Sequence, residues 1–290
     1  MAEKEVIETS EAEIAVHWGE EEYYHPSTEF IAQANMTDAA VFDRFSLDNF
    51  PNCFKEYADL LDWFEYWHTI LDTSDAPCWK WFSGGKVNAS YNCVDRHLAK
   101  NKNKTAIHFV PELEEEKIEH ITYQELYVRV NEFAALLRDF AGLKAGDRVT
   151  LHMPMSVELP ITMLACARLG VIHSQVFGGF SGRASADRIV DSQSRVLIIM
   201  DSYYRAGNLL NHKENADIAC ELAEKDGQKV DKVLVWQRYP GKASSPTPMV
   251  EGRDYFVNDV LKEYYGQRVD PVPVPAEDPL FLMYTSGTTG

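Results

Sequence analysis

Residues 149–176 read VTLHMPMSVELPITMLACARLGVIHSQV, and this stretch decides the fold. Val149, Leu151 and Met153 alternate with polar residues, which is the period of a strand. A run of helical character over Val157–Leu169 follows, and a second short apolar run, Val171–Val176, closes the unit. Downstream the pattern repeats. A helix near Ser185–Asp191 precedes a strand at Arg195–Met200 that closes on Asp201, and a helix near Asn215–Glu224 precedes a strand at Lys232–Trp236. Helices of about ten residues between short apolar strands imply βαβ units and an α/β fold, with mostly parallel sheets flanked by helices.

Upstream, Thr122 with Glu125 has capping-box spacing, followed by a helix whose apolar face is Leu126, Tyr127, Val130, Phe133, Ala134 and Leu137. Gly142 is its stop signal, and Lys144–Asp147 turns into the strand at Val149. Phe54, Tyr57, Leu60, Leu61, Phe64, Trp67 and Leu71 recur at helical spacing and predict an aromatic-rich amphipathic helix. Cys78–Phe82 reads as a strand entering a turn at Ser83-Gly84-Gly85, and Pro111–Glu119 as a charged loop. Tyr239–Pro248 reads as a second loop. Pro271–Pro275 is a proline-spaced approach to a final buried strand, Leu280–Tyr284. The organisation expected is an acidic, loosely ordered extension over 1–45, a helical and hairpin region over 46–110, and a partial α/β domain over 111–290.

Net charge is −17 over 290 residues, and the first thirty residues hold nine acids against a single Lys4. That balance argues against nonspecific nucleic-acid binding, which needs a basic footprint. The five cysteines are scattered without metal or disulfide spacing, so free thiols in a reducing, cytoplasmic setting are expected. No metal site is expected in the chain. The start lacks the pattern of a signal peptide, and the longest apolar stretch, Leu159–Ile172, is broken by Arg168 and too short for a bilayer. The sequons at Asn35, Asn88 and Asn103 read as chance matches.

The last strand runs into Thr285-Ser286-Gly287-Thr288-Thr289-Gly290. The two glycines let backbone N–H groups converge, and Thr285, Ser286, Thr288 and Thr289 add hydroxyl donors without negative charge. By composition alone a polar turn or a flexible tail is the better reading. Neither a Walker A nor a Rossmann glycine pattern is present.

Taken with Tyr284, the string matches the aromatic-Thr-Ser-Gly-Thr-Thr-Gly signature, and the chain resembles the adenylate-forming ligases. Met153-Pro154-Met155, Met163–Gly170, His173–Ser181 and Glu251-Gly252-Arg253-Asp254 resemble the AMP-forming acetyl-CoA synthetase branch. The likeness begins near residue 55. It implies that Thr285, Ser286, Gly287, Thr288, Thr289 and Gly290 hold the ATP β- and γ-phosphates with Mg²⁺. It also implies that Phe177-Gly178-Gly179 receives the coenzyme A nucleotide, and that Arg205-Ala206-Gly207-Asn208 meets its phosphates. Without the family match, Phe177–Gly179 would be a tight turn and Arg205 a solvated arginine. Asn208 stands where the family has arginine, and Lys213 is the candidate to compensate. Asp95, Arg96 and His97 read as scaffold.

The resemblance further implies acetate attack on the ATP α-phosphorus, giving acetyl-AMP and pyrophosphate. Coenzyme A thiolysis then gives acetyl-CoA and AMP, by positioning and electrostatics rather than a protein nucleophile. The family's catalytic lysine, acyl pocket and AMP-binding acids would lie past Gly290. No catalytic residue is therefore expected in this chain, and the chain alone is expected to make no acetyl-CoA. The alternatives are a propionate ligase portion, or a stand-alone coenzyme A- or nucleotide-binding subunit paired with a complementary C-terminal half.

Overall fold

The computed structural model describes residues 25–34, 38–242 and 246–284, which divide into two compact units, Met1–Cys53 and Phe54–Gly290. The Thr285–Gly290 loop and the first 24 residues of the acidic opening lie outside the described residues. The first unit contains a short helix at Thr28–Gln33, whose start is capped by the Ser27 hydroxyl accepting from Phe30 N–H, and another at Val41–Arg44.

The second unit opens with small antiparallel pairings. β1 (Thr69–Asp72) pairs with β2 (Lys80–Ser83), β3 (Lys86–Val87) pairs with a strand described below, and β4 (Thr105–Phe109) pairs with β5 (Glu119–Thr122). The helix expected over Phe54–Leu71 is not there: only Lys55–Ala58 is α-helical, after a single 3-10 turn over Asn52–Phe54. Beyond it the backbone bonds are spent on sheet-like partners instead. Phe64 N–H donates to Lys86 O at 2.9 Å, His68 N–H to Ser83 O at 3.1 Å, and Lys86 N–H to Glu65 O at 2.8 Å. The aromatic rings that suggested a helix clasp the hairpin. Trp63 and Trp67 both pack on Phe82, and the adjacent Tyr66 and Trp67 rings stack at 4.7 Å, which neighbours on a helix cannot do.

The capping box at Thr122 and Glu125 forms: Glu125 N–H donates to the Thr122 hydroxyl at 3.2 Å and Thr122 N–H to the Glu125 carboxylate at 2.8 Å. It starts α1 (Tyr123–Asp139). Then come β6 (Arg148–Met153), α2 (Glu158–Leu169), β7 (Ile172–Phe177), α3 (Gly182–Ser192) and β8 (Val196–Met200). A small hairpin of β9 (Ser202–Arg205) and β10 (Asn208–Asn211) follows, then α4 (Lys213–Lys225), β11 (Lys232–Trp236) and β12 (Asp254–Phe256). β13 (Val274–Pro275) pairs with β3, and β14 (Phe281–Leu282) ends the described chain. The main sheet is parallel, in the order β12-β11-β8-β6-β7-β14.

Both faces of that sheet are covered. α1 and α2 pack over Val149, Leu151, Ile198 and Leu234, while α3 and α4 pack over Leu197, Ile199, Val233 and Val235. The alternation in β6 is therefore not an inside–outside pattern: Thr150 and His152 are as buried as Val149 and Leu151. They face the second helical layer, where the Thr150 hydroxyl bonds Ser194 at 2.9 Å and Ser192 in turn bonds the Arg188 carbonyl at 2.6 Å. β14 departs from expectation in the other direction. It is two residues long at the sheet edge, with Leu280, Phe281 and Met283 exposed, because among the described residues only β7 borders it.

Arg168, which interrupts the apolar run of α2, is buried and forms a two-pronged pair with Asp95 at 2.8 and 2.9 Å. The Asp95–Arg168 pair ties the N-terminal elements to the sheet domain, whereas Arg96 donates to Leu60 O at 2.6 Å and His97 Nε2 lies 3.1 Å from Asn92 O within those elements. No helix among the described residues is long and apolar enough to cross a membrane.

Candidate functional site

Strand order and chain order part company at β6. The chain crosses from β6 to β7 on one side, then back past β6 to β8 on the other. Such a reversal opens a crevice at the carboxyl ends of the strands, where open α/β sheets take their ligands. A cleft of about 430 Å³ lies there. Pro154 after β6, Phe177–Gly179 after β7, Tyr203–Arg205 in β9, and Arg238 after β11 supply its walls.

The turn ending β7 depends on its glycines. A Cβ on Gly178 would lie 2.9 Å from Pro154 Cα, and one on Gly179 would lie 2.2 Å from an Arg205 guanidinium nitrogen. Tyr203 pins the turn by donating its hydroxyl to Gly178 O at 3.0 Å. The Phe177 ring is half exposed, sits edge-on to Phe180 at 5.7 Å, and lies 5.7 Å beneath the Arg205 guanidinium. A flat apolar face and a cation thus border one open space.

Arg205 owes its place to the β9–β10 hairpin, in register Arg205↔Asn208 and Ser202↔Asn211. Its two central residues, Ala206 and Gly207, have φ of 49° and 76°, as a type I′ turn requires. The hairpin base is held by Asp201, whose carboxylate accepts from Ser202 N–H at 2.6 Å and whose backbone carbonyl accepts from His212 N–H at 2.8 Å. Burial pushes the Asp201 carboxyl above the usual carboxylate range.

The charges divide cleanly. Arg238 is committed to Glu119 at 2.6 Å and Glu158 at 3.4 Å, and stacks on Phe109 at 4.4 Å. Arg205 forms no ion pair among the described residues, so it is the cation on offer to a ligand. Two buried histidines lie beneath the floor. His152 and His212 face each other with ring centroids 4.2 Å apart, and Tyr203 packs on His212. Burial pushes His152 down to about 3 and His212 down to about 4, so both are neutral at pH 7. The Met200 carbonyl lies 3.2 Å from His212 Nδ1, which makes that nitrogen the protonated one.

Of the residues singled out by sequence, Phe177, Gly178, Gly179 and Arg205 share this cleft. Ala206, Gly207 and Asn208 form the hairpin tip beside it. Gly207 N–H donates to a Glu112 carboxylate oxygen at 3.1 Å, and the Asn208 amide folds back onto Ala206 O at 3.1 Å. Lys213 cannot make up for Asn208. It is fully buried and bound to Asp217 at 2.6 Å and Asp254 at 2.8 Å, so its charge serves the core. Sequence reading passed over Tyr203, Glu112 and the histidine pair. Two short runs, Tyr203-Tyr204 and Leu209-Leu210, either side of a central Ala-Gly were the available hairpin signal. Among the described residues, no group of three or more His, Cys, Asp and Glu could hold a metal ion. An aromatic face, an unpaired guanidinium and close-approach backbone suit a flat aromatic group carrying anionic substituents.

Comparison with known proteins adds the following. Residues 94–290 match the AMP-binding enzyme family model, and residues 42–93 match the acetyl-coenzyme A synthetase N-terminus model. The 3-hydroxypropionyl-coenzyme A synthetase of Sulfurisphaera tokodaii is 46% identical over 80% of this chain and 34% of its own length. The acetyl-coenzyme A synthetases of Pyrobaculum aerophilum and Wolinella succinogenes are 43% and 41% identical, over 86% and 93% of this chain and 37% and 40% of their own. The chain thus spans roughly two fifths or less of the length of these relatives.

Proposed function

Because this chain belongs to the AMP-binding enzyme family, we propose that it carries the coenzyme A-docking face of an AMP-forming short-chain acyl-CoA ligase. The observation that carries the reading is the convergence of Phe177, Gly178, Gly179 and Arg205 on one cleft at the sheet's switch point. In this reading the exposed Phe177 ring covers the adenine, the Cβ-free turn lets the backbone approach it, and Arg205 grips a phosphate through its fork.

The reaction joins a short-chain acid to coenzyme A in two steps. The acid carboxylate displaces pyrophosphate from ATP to give an acyl-adenylate, and the coenzyme A thiol then displaces AMP. Thr285–Gly290 is the segment we assign to the outer ATP phosphates, with Mg²⁺ arriving on the nucleotide. Acetate is the acid we favour, on the names of the Pyrobaculum aerophilum and Wolinella succinogenes relatives. The name of the Sulfurisphaera tokodaii relative makes 3-hydroxypropionate the second reading. We propose further that these 290 residues bind coenzyme A yet do not turn over without a complementary C-terminal part.

Calorimetric titration of the purified chain with coenzyme A is the test. Binding should be measurable, and Arg205→Ala should weaken it by ~10- to 100-fold, the worth of one charged hydrogen-bonding group. Equal binding by the variant would remove Arg205 from the site. Acetate-dependent pyrophosphate release by the chain alone would refute the incompleteness.

A further inference from the structure

The hairpin tip already holds an anion, and the chain supplies it. Two groups there attract negative charge: the unpaired Arg205 guanidinium and the Gly207 N–H, which the type I′ turn presents outward from Ala206-Gly207. The Gly207 N–H is taken by Glu112, whose carboxylate oxygen lies 3.1 Å away. Glu112 sits on the loop between β4 and β5, 95 residues earlier in the chain, and lines the same cleft as Phe177 and Arg205. Its carboxylate makes no other hydrogen bond or ion pair among the described residues, and the side chain is exposed. Such a contact is weak and easily exchanged.

We infer that Glu112 is a specificity-determining residue of this cleft: its carboxylate occupies the Gly207 amide until a ligand phosphate displaces it. The inference rests on the coenzyme A reading above. A phosphate oxygen offers the same amide the same charged acceptor, so carboxylate and ligand compete for one donor. The displaced carboxylate stays close by and repels the bound phosphate. Glu112 therefore lowers affinity for every phosphate-bearing ligand. A ligand without phosphate neither displaces the carboxylate nor is repelled by it, so Glu112 narrows the preference of the cleft for phosphate-bearing ligands. The absence of a second arginine at Asn208 leaves this competition unrelieved at the tip.

The experiment titrates the purified full chain with coenzyme A and with pantetheine, which has the same thiol arm but no phosphate. Glu112→Gln keeps the side-chain shape and removes the charge. Glu114→Gln removes an equal charge from the same loop at an exposed residue that bonds nothing among the described residues. Melting curves confirm that the variants are as folded as the parent. Glu112→Gln should bind coenzyme A roughly three- to ten-fold more tightly at low salt, and the gain should shrink as salt screens the repulsion. Pantetheine binding should not change, and Glu114→Gln should match the parent. If Glu112→Gln binds coenzyme A no better than Glu114→Gln, or more weakly than the parent, the inference falls while the coenzyme A reading stands. If no form binds coenzyme A, both fall together.

Discussion

Acid should unfold this chain well before its carboxylates titrate. His152, His173 and His212 are buried, and burial pushes them down to about 3, 4 and 4. In the unfolded chain each imidazole takes a proton near pH ~6.5. As pH falls below that value the unfolded state binds protons that the folded state refuses, so stability is lost from about pH 6.5 down to about 4. Between pH 7 and pH 5 each histidine contributes a loss of about 2 kcal/mol, and the three together about 6 kcal/mol. Folded domains are stable by only ~5–15 kcal/mol, so this loss decides whether the chain stays folded. Asp201, whose carboxyl burial pushes up, works in the opposite sense and offsets part of it. Urea unfolding at pH 7 and pH 5, followed by tryptophan fluorescence, measures the effect. His173→Leu, in a site where neither ring nitrogen has a hydrogen-bond partner, should remove about a third of it. Equal urea midpoints at the two pH values would mean that the buried histidines carry no such loss.

Asp95→Ala leaves the buried Arg168 without its carboxylate and should cost about 3–5 kcal/mol, read as a lowered urea midpoint at pH 7. Gly178→Ala drives a Cβ against Pro154 Cα, so it should shift the turn. Weakened coenzyme A binding with a retained far-UV circular dichroism spectrum is the expected result. Thr122→Ala removes one half of the capping box on α1 and should cost about 1 kcal/mol in the same urea assay.

Local rules carried much of the fold. The capping box at Thr122, the run Lys232–Trp236 and the βαβ rhythm from Arg148 onward depend on neighbours in sequence, and they stand where the sequence places them. The failures share a cause, which is that the deciding partner is distant in the chain. Phe54–Leu71 has helical spacing, but Lys86 and Ser83 offer its amides and carbonyls a better arrangement. Thr150 and His152 look solvent-facing until α3 and α4 cover their side of the sheet. Lys213 looks like a free cation until Asp254, 41 residues later, claims it in the core. The cleft was half legible. Phe177–Gly179 and Arg205 are visible as motifs, but the Glu112 contact depends on a loop-to-hairpin meeting that no local pattern encodes.

We propose that one cleft, between the turn after β7 and the β9–β10 hairpin, receives coenzyme A. Hydrogen–deuterium exchange with and without coenzyme A tests it most directly. Slowed exchange confined to residues 177–180 and 203–208 is the predicted result. Protection elsewhere with these two segments unchanged would contradict the account.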